Sequence, residues 1–269
     1  FAVVAIARIR VQQEQPSNVE VLAEQPEETR EFSELELRAT VGYGNDSNVF
    51  RSPDQPYRDL SDPTQPVVVP QVQSGAFVPV ALSAKYKINS LPFEGFYGAY
   101  RLVGRYYPDE ELENANEYLH ELSVGSEYRR KQDGRDRRVH GAFKVAQNDE
   151  VYYDPDNGLP RNSGGIEVSD RMNYLRYGPE FSARQSGEML SFGVRGKGQL
   201  WNYEEAGELP EYDHEYFLVS TYGQIKFTST SLLRLTADYY SRRYSDRPAF
   251  DLDGQQRIGN PNIRYDYLS

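Results

Sequence analysis

From Leu35 onward, apolar and polar residues alternate in stretches of about ten residues, separated in turn by long polar loops and tight turns. Leu35, Leu37, Ala39, Val41 and Tyr43 share one parity, and Glu36, Arg38, Thr40 and Gly42 share the other. That period of two is the mark of a strand with one buried and one solvated face. The same alternation predicts strands over 76–88, 93–106, 117–130, 137–147, 171–184, 189–203, 215–227 and 232–244, and a tenth beginning at Ile263. Tight turns fall at Asn89-Ser90-Leu91-Pro92, at Gln132-Asp133-Gly134-Arg135-Asp136 with its Asp-Gly signal, at Ser186-Gly187-Glu188 and at Thr228-Ser229-Thr230. Long loops follow the odd-numbered strands and tight turns follow the even-numbered ones.

This rhythm predicts an all-β chain, an antiparallel transmembrane up-and-down β-barrel with about ten strands present. The bilayer interior admits only helices and closed barrels, and no apolar run here has the length of a membrane helix. In such barrels the tight turns are periplasmic and the long loops extracellular. A soluble β-sandwich shares the alternation but gives no reason for loop length to alternate. The tenth strand stops after a few residues at Leu268-Ser269, so the chain reads as truncated at its C-terminus. Residues 1–7 read as a signal-peptide remnant in which Ala5-Ile6-Ala7 fits small-x-small cleavage. Residues 8–34, rich in Gln, Glu and Pro, read as a flexible periplasmic lead-in, and 35–269 as the partial barrel.

Composition sharpens this picture in two respects. A mean hydropathy of −0.75 and a hydrophobic content of 38% suit a soluble or disordered chain, but 22 tyrosines among 269 residues do not suit disorder. A barrel reconciles the two, because only every second strand residue meets lipid, and tyrosine suits a membrane–water boundary. The net charge of −11 argues against nucleic acid as a partner. The absence of cysteine excludes disulfides, thiolate metal sites and a Cys-linked lipid anchor.

The segment Val41-Gly42-Tyr43-Gly44-Asn45-Asp46-Ser47-Asn48-Val49-Phe50-Arg51-Ser52-Pro53 resembles the G-Y-D-S-N-V-F-R-x-P stretch near the start of β-barrel porins of proteobacterial outer membranes. It differs by inserting Gly44-Asn45 before Asp46, and the late Arg264-Tyr265-Asp266-Tyr267-Leu268 resembles a later strand of the same kind. The resemblance implies a Gram-negative outer-membrane, porin-like barrel, in some cases tied to exopolysaccharide export or surface assembly.

Assigning faces by alternation makes the lumen basic. Arg38, Lys85, Lys87, Arg101, Arg105, Arg129, Arg138, Lys144, Arg176, Arg195, Lys197 and Arg234 fall on the polar side, with Arg184 and Arg242. Glu36, Glu117, Glu121, Glu127, Glu180 and Asp238 share that side but are fewer. A charged aqueous pore selects ions through its focused field, and arginine grips carboxylates bidentately. The expected function is therefore passage or export of anionic solutes or an acidic polysaccharide. The alternative is a non-conducting structural or assembly barrel serving surface-polymer machinery, with the charges pairing across strands to stiffen the wall.

Expected partners are outer-membrane lipid and lipopolysaccharide, the anionic solute or polysaccharide, and periplasmic export machinery. No cofactor motif, zinc-ligand pair or nucleophile elbow appears, and no enzyme is expected. His214 beside Asp213 and Glu215 is the one candidate for rim catalysis. The acidic loop clusters, Asp109 to Glu113, Asp149 to Asp156 and Glu204 to Asp213, lack EF-hand spacing. An aromatic girdle is expected at Tyr106, Tyr118, Tyr203, Tyr216 and Tyr244 near the long-loop ends, and at Tyr86, Phe96, Tyr128, Phe181 and Phe227 near the tight turns.

Overall fold

The computed structural model describes residues 3–13, 33–58, 64, 66–90, 94–163, 165–204, 212–227, 231–251, 253–257 and 262–269. Its strands, in chain order, are β1 (Val3–Gln13), β2 (Ser33–Asp46), β3 (Gly75–Ile88), β4 (Phe96–Tyr106), β5 (Glu117–Gln132), β6 (Arg135–Glu150), β7 (Asn162–Ser163), β8 (Ile166–Glu167), β9 (Tyr174–Ser186), β10 (Leu190–Tyr203), β11 (His214–Lys226), β12 (Leu232–Pro248) and β13 (Asn262–Leu268). Eleven of them form one sheet in chain order, β1-β2-β3-β4-β5-β6-β9-β10-β11-β12-β13, while β7 and β8 make a two-stranded ladder of their own inside a loop. Every pairing in the large sheet is antiparallel between consecutive strands, an up-and-down meander. Among the described residues, helix is confined to two short 3₁₀ turns, Glu110–Ala115 and Ser169–Met172.

All the strands expected from Leu35 onward are present, several of them longer than the alternation alone delimits. The sheet holds one further strand. β1 covers Val3–Gln13, the tail of the expected leader remnant and the start of the expected lead-in, and it registers Ile9 opposite Leu37 and Val11 opposite Leu35. Its odd positions are as apolar as those of its neighbour, which a period of two requires of an edge strand on β2. Residues 14–32, the rest of the lead-in, lie outside the described residues. The expected barrel is not closed: β1 and β13 are the two edges of an open sheet.

Register is nearly unbroken, and one shift at Arg243/Pro248 is its sole irregularity between β12 and β13. Directly opposed residues share a face. The row Arg38, Ser83, Arg101, Glu121, Ala146, Arg176, Trp201, His214 and Tyr244 therefore crosses nine strands on one face. The opposite face is apolar and exposed from β2 to β12. Val41, Leu82, Leu122, Val124, Phe143, Phe192, Phe217 and Leu235 all stand on it and are all exposed. Aromatic rings fill the gaps that glycines leave across the strands. Phe77 lies against Gly44 and Tyr118 against Gly104, each pair directly opposed, and a Cβ on either glycine would meet the ring within 2.5 Å.

The buried apolar core sits not in the sheet but among the long loops. Val49, Phe50, Tyr107 and Leu112 pack together, with Phe77, Ala115 and Tyr153 against them. The loop after β2, the loop after β4 and the loop after β6 thus meet at one end of the sheet. Gln71 N–H donates to the carbonyl of Asp156, Asn114 Nδ2 to that of Gly158, and Tyr57 Oη to Asp156 Oδ2. Burial pushes the phenols of Tyr107 and Tyr153 above their ordinary range.

Candidate functional site

The loop core begins with the segment that carries the porin resemblance. Asn48 N–H donates to Asp46 Oδ1, Ser52 N–H donates to Asn48 Oδ1, and Asn48 Nδ2 donates to the carbonyl of Ser52. This side-chain bracket turns the chain so that Phe50, only 1% exposed, points into the core. Its ring meets Tyr153 edge-on at 5.0 Å and closes over Gly158, whose φ of +73° no side chain would tolerate easily. The motif is a fastening between loops.

The acidic loop clusters also have local work. Asp109 caps the 3₁₀ turn Glu110–Ala115 through the N–H of Glu111, and the following glutamates occupy its first turn, where carboxylates are favoured. Asp154 Oδ1 accepts the N–H of Asp156. Among the described residues no three acidic or histidine side chains converge as a metal site. Glu205, Glu208 and Glu211 of the last cluster lie outside them.

The register places every basic residue singled out for the lumen on the polar face. Most of them are taken up in a carboxylate network across the strands. Glu127 receives both Lys85 and Lys87 at 2.8 Å. Lys144 lies between Glu121 at 3.7 Å and Glu180 at 3.2 Å, Arg176 adds to Glu121, and Arg195 adds to Glu180. Arg105 stands between Asp46 and Glu117, Arg38 pairs with Glu36, and Arg129 and Arg138 share Asp136. Cross-strand pairing of this kind stiffens a wall. It leaves a residue of charge: Arg101, Lys197, Arg234 and Arg242 hold no carboxylate among the described residues. Arg101 is directly opposite Glu121, but that carboxylate is already engaged by Lys144 and Arg176. Arg234 lies over the ring of Tyr222 at 4.5 Å, and Lys197 over that of Tyr216 at 5.5 Å.

Of the ten girdle residues, three do not lie on the apolar face. Tyr86, Phe96, Tyr106 and Tyr128 are exposed on the apolar face. Tyr203, Tyr216 and Tyr244 are not on that face: they stand opposite Tyr174, Gln199 and His214 in the register of the polar face. Their parity matches that of Lys197 and Arg242. An aromatic ring reads as apolar wherever it falls, so composition obscured what parity carries.

Those tyrosines belong to an aromatic array across β9–β13 at the long-loop end. Tyr174 meets Trp201 at 4.6 Å, Trp201 stacks on His214 at 5.2 Å, and His214 meets Tyr244 at 5.2 Å. A second row runs Tyr216, Tyr240 and Tyr267, with ring planes within 28° and 21° of one another. Arg176 lies over the rings of both Tyr174 and Trp201. Within the array His214 Nδ1–H donates to the carbonyl of Tyr212 at 2.7 Å, and Asp213 accepts the N–H of Tyr203. Among the described residues no carboxylate is hydrogen-bonded to His214.

The chain matches no family model, no curated protein and no solved structure. The porin resemblance therefore rests on its own short motif.

Proposed function

We propose that this chain forms the wall of an outer-membrane β-barrel that passes anionic solutes or an acidic polysaccharide. One observation carries the reading. From β2 to β12 the sheet exposes a largely apolar face with no layer packed on it among the described residues, and most of its strand charges stand on the other face, with Arg243, Arg264 and Asp266 as exceptions toward the β13 edge. A bare apolar surface of that extent calls for a cover, and lipid is the cover that suits alternating strands with tight turns at one end and long loops at the other. Closure then needs β1 and β13 to pair with each other or with further strands, because the hydrocarbon interior does not tolerate open edges. The polar face becomes the lumen, and its surplus of uncompensated base, Arg101, Lys197, Arg234 and Arg242, sets a preference for anions.

The loop core favours a second reading. Three long loops braced to one another at the mouth make a stiff cover, and a covered mouth suits a structural or assembly barrel that conducts poorly. Conductance separates the two. The full-length protein in a planar bilayer is expected to open with a reversal potential on the anion side, and Arg101→Gln with Arg234→Gln is expected to reduce that preference. A silent bilayer with insertion confirmed would overturn passage in favour of the assembly role.

A further inference from the structure

We propose that the aromatic array at the long-loop end of the polar face is a stacking site for a uronate-bearing saccharide chain. This deepens the passage reading and rests on it only for the route, not for the binding.

The argument starts from unspent hydrogen-bonding capacity. His214 and Gln199 are buried, 5% and 6% exposed. His214 Nε2, Gln199 Oε1, Trp201 Nε1 and Arg176 Nε are all shielded, and none bonds another group among the described residues. All four side chains stand on the polar face of three adjoining strands, β9, β10 and β11. Buried polar groups are almost always satisfied, so four orphans in one place ask for a partner. Their chemistry limits what that partner is. Trp201 Nε1–H and Arg176 Nε–H donate only. Gln199 Oε1 accepts, and His214 Nε2 accepts as well, because its Nδ1 already carries the proton given to Tyr212. A phosphate, sulfate or simple carboxylate only accepts and leaves two of the four unmet. Hydroxyls both donate and accept, so a pair of them on one sugar can answer the two donors and the two acceptors together.

The surrounding rings supply the other half. Tyr216, Tyr240 and Tyr267 tile three strands with nearly parallel planes, and Tyr267 is 55% exposed. Ring faces are electron-rich and attract polarised C–H groups. A pyranose has such a C–H face, edged by hydroxyls. Lys197 beside Tyr216, and Arg242 opposite both Tyr216 and Tyr265, stand ready for one carboxylate per sugar or per few sugars. The orphaned atoms are shielded from solvent, so a sugar reaches them only by displacing a neighbouring side chain, and it then makes bonds that no described protein group makes.

Trp201 is the single tryptophan of these 269 residues, and a Trp201→Phe protein carried through the same titration isolates its share of the emission. The full-length protein in detergent is titrated with oligogalacturonate, with maltohexaose and with sodium sulfate. A saturable change in Trp201 emission is expected with oligogalacturonate at roughly tenfold lower concentration than with maltohexaose, the gain of one charge-assisted bond. Sulfate is expected to have no saturable effect. Tyr240→Ala weakens the response by about tenfold while Tyr240→Phe keeps it, as loss of one stacked ring predicts. No saturable change with either saccharide, or one matched by sulfate, overturns the proposal, as does a Tyr240→Ala protein that binds like the parent. Binding in detergent is independent of conduction. A silent bilayer with saccharide binding removes the passage reading and keeps the site, and conduction without saccharide response does the reverse.

Discussion

At the scale of the residue, Phe50 shows how a polar-looking stretch acquires structure. The Asn48–Ser52 bracket is local and could be guessed from the Asp46-Ser47-Asn48 run, since such side chains favour turns over strands. What Phe50 packs against was not legible, because its partners Tyr107, Leu112 and Tyr153 come from other loops far along the chain. Removing a fully buried phenylalanine ring costs about 3–5 kcal/mol. Phe50→Ala is therefore expected to loosen the loop core while the sheet stays intact. Limited proteolysis should then cut within 47–58 and 151–163 without loss of strand signal in circular dichroism. Sensitivity equal to that of the parent would mean that the brace lies elsewhere. Gln199 and His214 were unreadable as a pair for the same reason: nothing in their spacing says that β10 and β11 present both to one side.

At the scale of the element, alternation was decisive where side chains are unambiguous and failed where they are not. Leu and Val against Arg and Glu gave the faces of β2 to β12 correctly. The tyrosines of β10 to β12 were misassigned because aromaticity outweighed parity. β1 overlaps the stretch read as a leader remnant with a short buried strand as the alternative, where adjacent Val3 and Val4 blur the period and Ala5-Ile6-Ala7 also fits small-x-small cleavage. The β5–β6 hairpin shows a further consequence of parity. Beyond Tyr128 and Val139 it carries charge on both faces, Arg130 and Arg137 on one and Arg129, Arg138 and Asp136 on the other, so its tip extends past the apolar band. Like charges directly opposed repel, and Asp136 is the bridge that relieves one such pair. Hydrogen bonds from Arg129 and then Arg138 hold its carboxyl well below the usual range. A depressed carboxylate stabilises the fold above the unfolded value of about 4, and that contribution fades as pH falls through the folded value. Hydrogen-exchange protection at residues 131–136, taken relative to the intrinsic rate at each pH, should hold from neutral pH to about pH 5 and fall only in stronger acid. Asp136→Asn is expected to exchange fast already at neutral pH. Equal protection in both proteins would remove Asp136 as the bridge.

At the scale of the whole molecule, two faces of one sheet make opposite demands on substitution. Val124 is 67% exposed near the middle of the apolar band of β5. On the membrane reading an arginine there costs roughly 2–4 kcal/mol of folding into lipid vesicles, the penalty for a charge near the bilayer midplane. Thr236→Arg, on the polar face, is expected to cost far less. Equilibrium folding in vesicles reads the difference directly, and equal tolerance of the two would argue for a water-facing sheet. The antiparallel up-and-down order of the strands from β2 onward was thus legible from a period of two, while closure into a barrel was not. The aromatic array was not, because it is a property of five strands in register rather than of any one of them.

The loops have a corollary of a different kind. Phe50, Tyr107 and Leu112 hold their segments in one shape, so that end of the sheet presents a folded surface and not a set of peptides. An antibody raised against a linear fragment from residues 47–58 would find Phe50 turned inward and Asn48 folded back on Ser52. Only an immunogen that preserves the brace would elicit recognition of the native molecule.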